Sequence, residues 1–236
     1  MLINDEYKKR TKDIGVFYEI LVFIDGIETY RGKAICDTNT GHEFFLDREM
    51  QQCLRAEAII VLYNAIESTI SNCVQLLYDA IHDSELKYSD LSHSLRKIWL
   101  EFQLPSNMDI KKIRETSYEI VERLSISKVS FSQLPGRMSG NLDMRQIIAI
   151  CKSLGISLEH IPDFKRTAEI FLSIKNKRND LAHGNKSFSA VGTLLTINEL
   201  IEYKDKTLNL LDYVVRKFQK YVDNREYCQQ FCKTNI

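Results

Sequence analysis

Residues 47–83 of the chain read DREMQQCLRAEAIIVLYNAIESTISNCVQLLYDAIHD, and this stretch decides the fold class. It contains neither proline nor glycine, and its apolar residues recur every three or four positions, which is the spacing of an amphipathic helix. The residues expected to face inward are Leu54, Ala58, Val61, Ala65, Thr69, Cys73, Leu76 and Ala80. The stretch therefore predicts one long helix from about Asp47 to Asp83.

Helical spacing continues on both sides of this stretch, because the 236 residues contain only three prolines and nine glycines. The other predicted helices cover about residues 4–28, Ser89 or Asp90 to Phe102, Asp109 to Leu124, Asn141 or Asp143 to Leu154, Asp163 to the region 179–184, and Thr196 through Tyr221. We therefore predict an all-α protein.

The segments between these helices set the predicted organisation. Residues 22–26 also fit a strand followed by a turn, residues 32–46 have the composition of a linker, and residues 125–142 that of a long loop. We predict an N-terminal helix and linker over 1–46, a helical domain over 47–224 and a C-terminal tail over 225–236.

The overall composition is that of an ordinary globular chain, with 44% hydrophobic residues, 27% charged residues and a formal net charge of zero. No apolar run approaches the roughly 18–20 residues of a membrane-spanning helix, and the first ten residues lack the apolar region of a signal peptide. We therefore expect a cytoplasmic protein with no membrane partner. The six cysteines and five histidines lack metal-ligand spacing, and the sequence contains no glycine-rich phosphate loop, so we expect no metal and no cofactor.

The segment with the most chemical character is KNKRNDLAHG, residues 175–184. Its neighbourhood, residues 164–186, contains the six cations Lys165, Arg166, Lys175, Lys177, Arg178 and Lys186 against the two acids Glu169 and Asp180. Arginine is permanently charged and fits phosphate oxygens, and histidine exchanges a proton near neutral pH. Arg178 and His183 would therefore supply the chemistry for cutting an RNA backbone without a metal. The alternative is structural, a helix that ends with cations near its negative pole and a glycine stop.

Arg178 and His183 are five residues apart, which places them about 140° from each other around a straight helix. They share one side only if the helix ends or unwinds between them. Asn179 and Asp180 favour local hydrogen bonds that compete with the helix, and Gly184 permits a left-handed helix end. We therefore predict that the helix opens between Asn179 and Gly184, so that the imidazole can turn back toward the guanidinium.

The segment from Arg178 to His183 resembles the Arg-Asn-x-x-x-His signature of the HEPN superfamily, four-to-five-helix domains many of which are metal-independent ribonucleases. Residues 62–72, 139–145 and 187–192 resemble companion segments of the MAE-like HEPN branch. The resemblance covers roughly Glu49 to Tyr221 and leaves the first helix outside. It implies a HEPN-type helical bundle with an extra N-terminal helix, in a prokaryotic restriction, toxin or antiviral defence system.

The resemblance also implies an activity. HEPN nucleases usually form two-fold dimers whose two motifs face one cleft, so the implied protein is a homodimeric, metal-independent RNA endonuclease. His183 would act as general acid or base, Arg178 would hold the phosphate, and Asn179 would orient one of them or cap the helix. The products would carry 2′,3′-cyclic phosphate and 5′-hydroxyl ends, and DNA would be inert.

Other residues have both a functional and a structural interpretation. Lys175, Lys177 and Lys186 are predicted either to contact RNA phosphates or to be ordinary surface lysines. Asn64 and Glu67 are polar positions in an apolar helix, and they either line the cleft or form local hydrogen bonds.

The resemblance further implies a partner protein, an antitoxin or a restriction or defence protein. Some HEPN toxins carry a tyrosine two residues after the motif histidine, which a nucleotidyltransferase modifies. This chain has Asn185 there, which argues against that arrangement.

Two other functions stay open. One is a non-catalytic HEPN module that binds RNA, a nucleotide or a partner protein, which the zero net charge favours because nucleic-acid affinity draws on phosphate neutralisation. The other is a purely structural dimerisation domain, which would require Arg178 to be salt-bridged and His183 to be buried.

Overall fold

The computed structural model describes residues 2–27, 34–104, 108–124, 127–131 and 141–229. Within these residues it contains eight helices, α1 (Leu2–Asp25), α2 (Arg48–Asp83), α3 (His93–Gln103), α4 (Ile110–Leu124), α5 (Met144–Ser153), α6 (Phe164–Ala182), α7 (Phe188–Thr193) and α8 (Ile197–Asp223). A short antiparallel hairpin consists of β1 (Ala34–Cys36) and β2 (Glu43–Phe45). The predicted all-α fold class is confirmed.

The long helix predicted over residues 47–83 is confirmed as α2. A carboxylate oxygen of Asp47 accepts the backbone N–H of Met50 at 2.8 Å, as helix-capping residues do. The buried surface of α2 differs from the predicted stripe. Ile59, Leu62 and Ile66 are fully buried, whereas the predicted inward residues Leu54, Val61, Leu76 and Ala80 are only half-buried. A helix covered on several sides leaves few positions for polar residues, so each polar residue in α2 needs an explanation.

The segment between α1 and α2 differs from the prediction. Residues 22–25 are helical, so the alternative of a strand there is wrong. The predicted linker contains the hairpin, whose turn is closed by Asp37, which accepts from Asn39 N–H at 2.9 Å and from the Thr40 hydroxyl at 2.7 Å. Composition predicted a linker here, and the hairpin was missed because strands of three residues are too short to give a readable period.

Helix α3 begins after Ser92 rather than at Ser89 or Asp90. Residues 88–90 form a separate 3₁₀ turn, in which the Asp90 carboxylate accepts the backbone N–H of Lys87 at 2.9 Å. The predicted start of α3 at Ser89 or Asp90 is therefore one turn too early, because Asp90 closes the separate turn and Ser92 is the residue that precedes α3.

The chain divides into two compact units, one of residues 1–68 and 163–211 and the other of residues 69–162 and 212–236. The motif helix α6 lies wholly in the first unit, together with α1, α7 and the first part of α2. The predicted domain division at residues 46 and 224 stays a prediction.

In the first unit, α2 holds the end of α1. The Gln51 side chain donates to the carbonyl oxygens of Ile24 at 2.9 Å and Ile27 at 2.8 Å. One turn further, Arg55 forms an ion pair with Asp25 at 2.5 Å. The N-terminal helix is therefore an integral part of the unit that contains the motif helix.

In the second unit, the turn after α5 is held by α8. The Tyr221 hydroxyl donates to the carbonyl oxygen of Leu154 at 2.9 Å. Gly155 follows with a φ of 87°, and a Cβ there would lie 3.2 Å from the same hydroxyl. Glycine is therefore required at this turn by both its backbone conformation and its surroundings.

Candidate functional site

Arg178 lies on the buried side of α6. The buried residues of this helix are Thr167, Ile170, Phe171, Ile174 and Leu181. Arg178 follows Ile174 by four positions and precedes Leu181 by three, so it occupies a place where the helical period calls for an apolar residue. A charged residue at such a position needs partners, because a buried charge is costly unless it is paired.

The Arg178 guanidinium contacts the side chains of Tyr63, Glu67 and Asn179. Its Cζ atom lies 4.4 Å from the centroid of the Tyr63 ring. Its Nη2 atom is 3.7 Å from Oε2 of Glu67, and its Nη1 atom donates to Oδ1 of Asn179 at 3.2 Å. The Tyr63 hydroxyl donates to Oε1 of Glu67 at 3.2 Å, so the ring and the carboxylate also hold each other.

The depth of this cluster decides what it can do. Tyr63 is fully buried, whereas 23% of the Arg178 side chain and 26% of the Glu67 side chain are exposed. Partial burial makes the cation–π contact and the ion pair stronger than they are on an open surface. The cluster therefore holds a positive charge in a defined position that solvent and an anionic ligand can still reach.

His183 lies just beyond the end of α6. The helix runs to Ala182, and the backbone N–H of His183 still bonds the carbonyl oxygen of Asn179 at 3.0 Å. The helix stops at Gly184, which has a φ of 68° as predicted. The imidazole is exposed to solvent.

Helix α6 ends inside the predicted region 179–184, but the predicted unwinding at Asn179 and Asp180 is wrong, because both residues remain helical. Leu181 is buried and continues the apolar side of α6, and the Asn179 amide oxygen accepts a hydrogen bond from Arg178. Because the backbone stays helical up to His183, Arg178 and His183 point about 140° apart around the helix. A single chain therefore does not bring the two side chains together on one side of α6.

The three predicted phosphate-binding lysines have different surroundings. Lys177 donates to the Ser173 hydroxyl at 2.6 Å, and partial burial lowers its pKa from the ordinary value. Lys186 pairs with Asp180 at 2.7 Å and lowers the pKa of that carboxyl group. Lys175 is half-buried. Contact of these lysines with RNA stays a prediction.

Two polar residues of α2, Asn64 and Glu67, were predicted either to line the cleft or to form local hydrogen bonds. Glu67 contacts Arg178 of the motif, and Asn64 does not contact Arg178 in the described structure. Asn64 is exposed and lines a cavity next to α1. Tyr63 was missed by the sequence reasoning. The available signal was its spacing, because residues four apart on a helix are neighbours and Tyr63 precedes Glu67 by four.

Two of the segments that resemble HEPN companion motifs have structural roles. Asp143 is buried and caps α5, where its carboxylate accepts the N–H of Gln146 at 3.1 Å, as predicted. Gly192 in α7 faces the α2 backbone, and a Cβ there would lie only 1.8 Å from the carbonyl oxygen of Gln52. Of the predicted loop 125–142, residues 125, 126 and 132–140 lie outside the described residues.

The described part of the chain contains no group of three or more His, Cys, Asp or Glu side chains that could hold a metal ion. None of its helices is long and apolar enough to cross a membrane.

Comparison with known proteins gives one family. The model of the MAE-like HEPN family matches residues 4–227. The match includes α1, which the sequence resemblance left outside, and it covers the whole cluster around Arg178. The comparisons with curated proteins and with solved structures give no match.

Proposed function

The chain belongs to the MAE-like HEPN family, and from this premise we propose that it is a metal-independent RNA endonuclease. The observation that carries the proposal is the position of Arg178. A guanidinium on the buried side of α6, held between Tyr63, Glu67 and Asn179, is arranged to meet a phosphate in one orientation. His183, a residue able to exchange protons near neutral pH, is exposed at the end of the same helix.

In the proposed reaction, His183 takes the proton of a ribose 2′-hydroxyl, and the 2′-oxygen attacks the adjacent phosphorus. The bond between phosphorus and the 5′-oxygen breaks, and a protonated imidazole gives its proton to that oxygen. Arg178 offsets the charge that grows on the phosphate oxygens. The products are a 2′,3′-cyclic phosphate and a 5′-hydroxyl, and DNA is not cut because it lacks the 2′-hydroxyl.

The site is proposed to need a second copy of the chain. Arg178 and His183 of one copy point about 140° apart around α6. In a two-fold dimer, the Arg178 of each copy would instead meet the His183 of the other copy. The test is to mix the Arg178→Ala and His183→Ala variants, each inactive alone. Mixing should restore part of the activity, because mixed dimers contain one intact Arg178 and one intact His183. Mixed dimers that form and stay inactive would contradict the shared site.

The activity itself is tested on labelled single-stranded RNA in the presence of EDTA. Arg178→Ala and His183→Ala should each lower cleavage at least about a hundredfold, the usual contribution of one such group. The matched controls Arg216→Ala and His93→Ala, at exposed positions, should leave cleavage unchanged. Full activity in either motif variant, or loss of wild-type activity in EDTA, would contradict the proposal.

A non-catalytic HEPN module that binds RNA, a nucleotide or a partner protein is the second candidate. The observation that favours it is the ion pair between Arg178 and Glu67, which offsets the positive charge that a scissile phosphate would need. This candidate predicts salt-sensitive RNA binding without cleavage, unchanged in His183→Ala.

The proposed setting is a toxin or antiviral defence system in the cytoplasm, with a protein partner that restrains the nuclease. Lys175, Lys177 and Lys186 are the proposed further contacts with the RNA backbone. Co-purification with the product of a neighbouring gene, followed by inhibition of cleavage, would test the partner. A co-purified protein that leaves cleavage unchanged would argue against this role.

A further inference from the structure

A cavity of about 410 Å³ lies in the first unit, and α1 and α2 provide its lining. Each helix contributes residues spaced at i, i+3, i+4 and i+7, which is one side of each helix. On α2 this side carries the small residues Ala65 and Ser68, which leave space beside Phe17 of α1. The cavity is therefore a consequence of small side chains placed where two helices face each other.

The lining has the chemistry of a small-molecule pocket. The volume lies within the range of about 300–1,000 Å³ that is usual for such sites, and the walls are mostly apolar. Phe17 is half-buried and provides an aromatic surface, while Asp13 and Asn64 are exposed at the rim and Arg10 adds a positive charge. Proteins bind unpaired RNA bases with the same two kinds of group, an aromatic ring that stacks on the base and polar side chains that hydrogen-bond to its edge.

The cavity and the cluster around Arg178 lie on different sides of α2, which meet at Asn64 and Glu67. Asn64 precedes Glu67 by three residues on α2, so their Cβ atoms are about 5–6 Å apart. Glu67 contacts the Arg178 guanidinium. An RNA strand whose phosphate meets Arg178 therefore reaches the cavity by crossing α2 at Glu67 and Asn64, so the base in the cavity belongs to a neighbouring nucleotide.

We propose that this cavity binds one unpaired base of the RNA substrate, next to the phosphate that Arg178 holds. The proposal rests on the proposed function and adds a base-binding subsite to it. Phe17 stacks on the base, and Asn64 and Asp13 bind its edge. Because a carboxylate only accepts hydrogen bonds, Asp13 binds donors on the base edge. An exocyclic amino group supplies two such protons, whereas the edge of uracil supplies only N3–H, so amino-bearing bases such as cytosine and adenine are preferred to uracil.

The test measures binding without cleavage, by fluorescence anisotropy of labelled hexaribonucleotides of A, C or U with the His183→Ala protein. Phe17→Leu keeps an apolar side chain but removes the ring, and it should weaken binding of the A and C oligonucleotides about tenfold. Asp13→Asn should reduce the preference for C over U, because an amide also donates. The matched controls on α1 are Phe23→Leu and Glu19→Gln, whose side chains do not line the cavity, and they should change neither quantity.

Each outcome decides the proposal. Binding that is unchanged by Phe17→Leu, in a protein with unchanged thermal stability, overturns it. If Phe17→Leu instead shifts the monomer–dimer equilibrium with no effect on base preference, the cavity holds a second copy and the proposal fails. The endonuclease assignment fails separately, if wild-type protein cuts no RNA. Base-dependent binding that requires Phe17 would still support the subsite in that case.

Discussion

The contact between Tyr63 and Arg178 has an energy that can be measured independently of any activity. The guanidinium carbon lies 4.4 Å from the ring centroid, inside the distance of about 6 Å over which a cation–π contact is felt. Tyr63 is fully buried and the Arg178 side chain is 23% exposed. Such contacts contribute about 0.5–1 kcal/mol when exposed and about 2 kcal/mol when desolvated, so we expect a coupling energy of about 1–2 kcal/mol here.

A double-mutant cycle on Tyr63→Leu and Arg178→Met measures this coupling by urea denaturation. The two single destabilisations should sum to about 1–2 kcal/mol more than that of the double variant, because each single variant already removes the contact. A second cycle with Tyr63→Phe should give little coupling, because the ring is present in all four proteins. Tyr63→Phe removes the hydrogen bond to Glu67 and keeps the ring beside the guanidinium.

The control is Tyr78→Leu, another buried tyrosine of α2, about 22 Å further along the helix. Its effect should add to that of Arg178→Met within about 0.5 kcal/mol. If the cycle on Tyr63→Leu is equally additive, the ring does not hold the guanidinium. Arg178 would then not be fixed for a phosphate by the Tyr63 ring.

Three further predictions concern stability. Gly192→Ala should lower the free energy of unfolding by several kcal/mol, since its Cβ would overlap the Gln52 backbone. Gly15→Ala, at a position in open space, should raise it by about 0.5–1 kcal/mol. Chemical denaturation measures both changes, and equal effects would contradict the packing of Gly192. Asp143→Ala should lower the free energy of unfolding by about 0.5–2 kcal/mol, and Asp143→Asn should lower it less, because asparagine also caps helices. Equal losses of stability in thermal melts of the two variants would argue against the cap. Hydrogen bonds from Thr196 lower the folded-state pKa of Glu199 below its ordinary value of 4.5, so its contribution is present above that pH and lost below it. Denaturation at successive pH values should show the difference between wild type and Glu199→Gln shrinking as the pH falls below about 4.5, and a constant difference would refute this.

Local patterns were the part of the structure that the sequence predicted best. Helix α8 was predicted to begin at Thr196, and a capping box forms there, with the Thr196 hydroxyl and the Glu199 carboxylate 2.7 Å apart. Its partners are three residues apart, so the pattern holds all the information that the contact needs. The same is true of Asp143 at the start of α5.

The end of α6 shows where local patterns fail. Asn179 and Asp180 are weak helix formers whose side chains compete for backbone hydrogen bonds, and together with Gly184 they predicted an opening there. Leu181 lies one residue further and is buried, and its packing keeps the last turn helical. The cost of a weak helix former is below about 1 kcal/mol, whereas a buried leucine contributes about 1.5–3 kcal/mol. Packing therefore decides the helix end, and the sequence does not show what Leu181 packs against.

The partners of Arg178 were beyond sequence reasoning for a similar reason. Glu67 and Arg178 belong to different helices far apart in the chain, and no local spacing connects them. The helical period of α6 did indicate that Arg178 lies on the buried side, because it places this residue between Ile174 and Leu181. An arginine that interrupts an apolar side predicts a partner elsewhere, though not which residue provides it.

The position of Arg178 also weighs against a purely structural role. Such a role required Arg178 to be paired and His183 to be buried, and only the first condition holds. A partly buried ion pair returns little net stability, because removing both charges from water costs several kcal/mol, and an apolar residue of similar size would pack as well or better. Stability alone therefore does not account for an arginine at this place in α6. A ligand that needs a fixed positive charge does account for it, and the exposed His183 at the end of the same helix favours a phosphate that is to be cut.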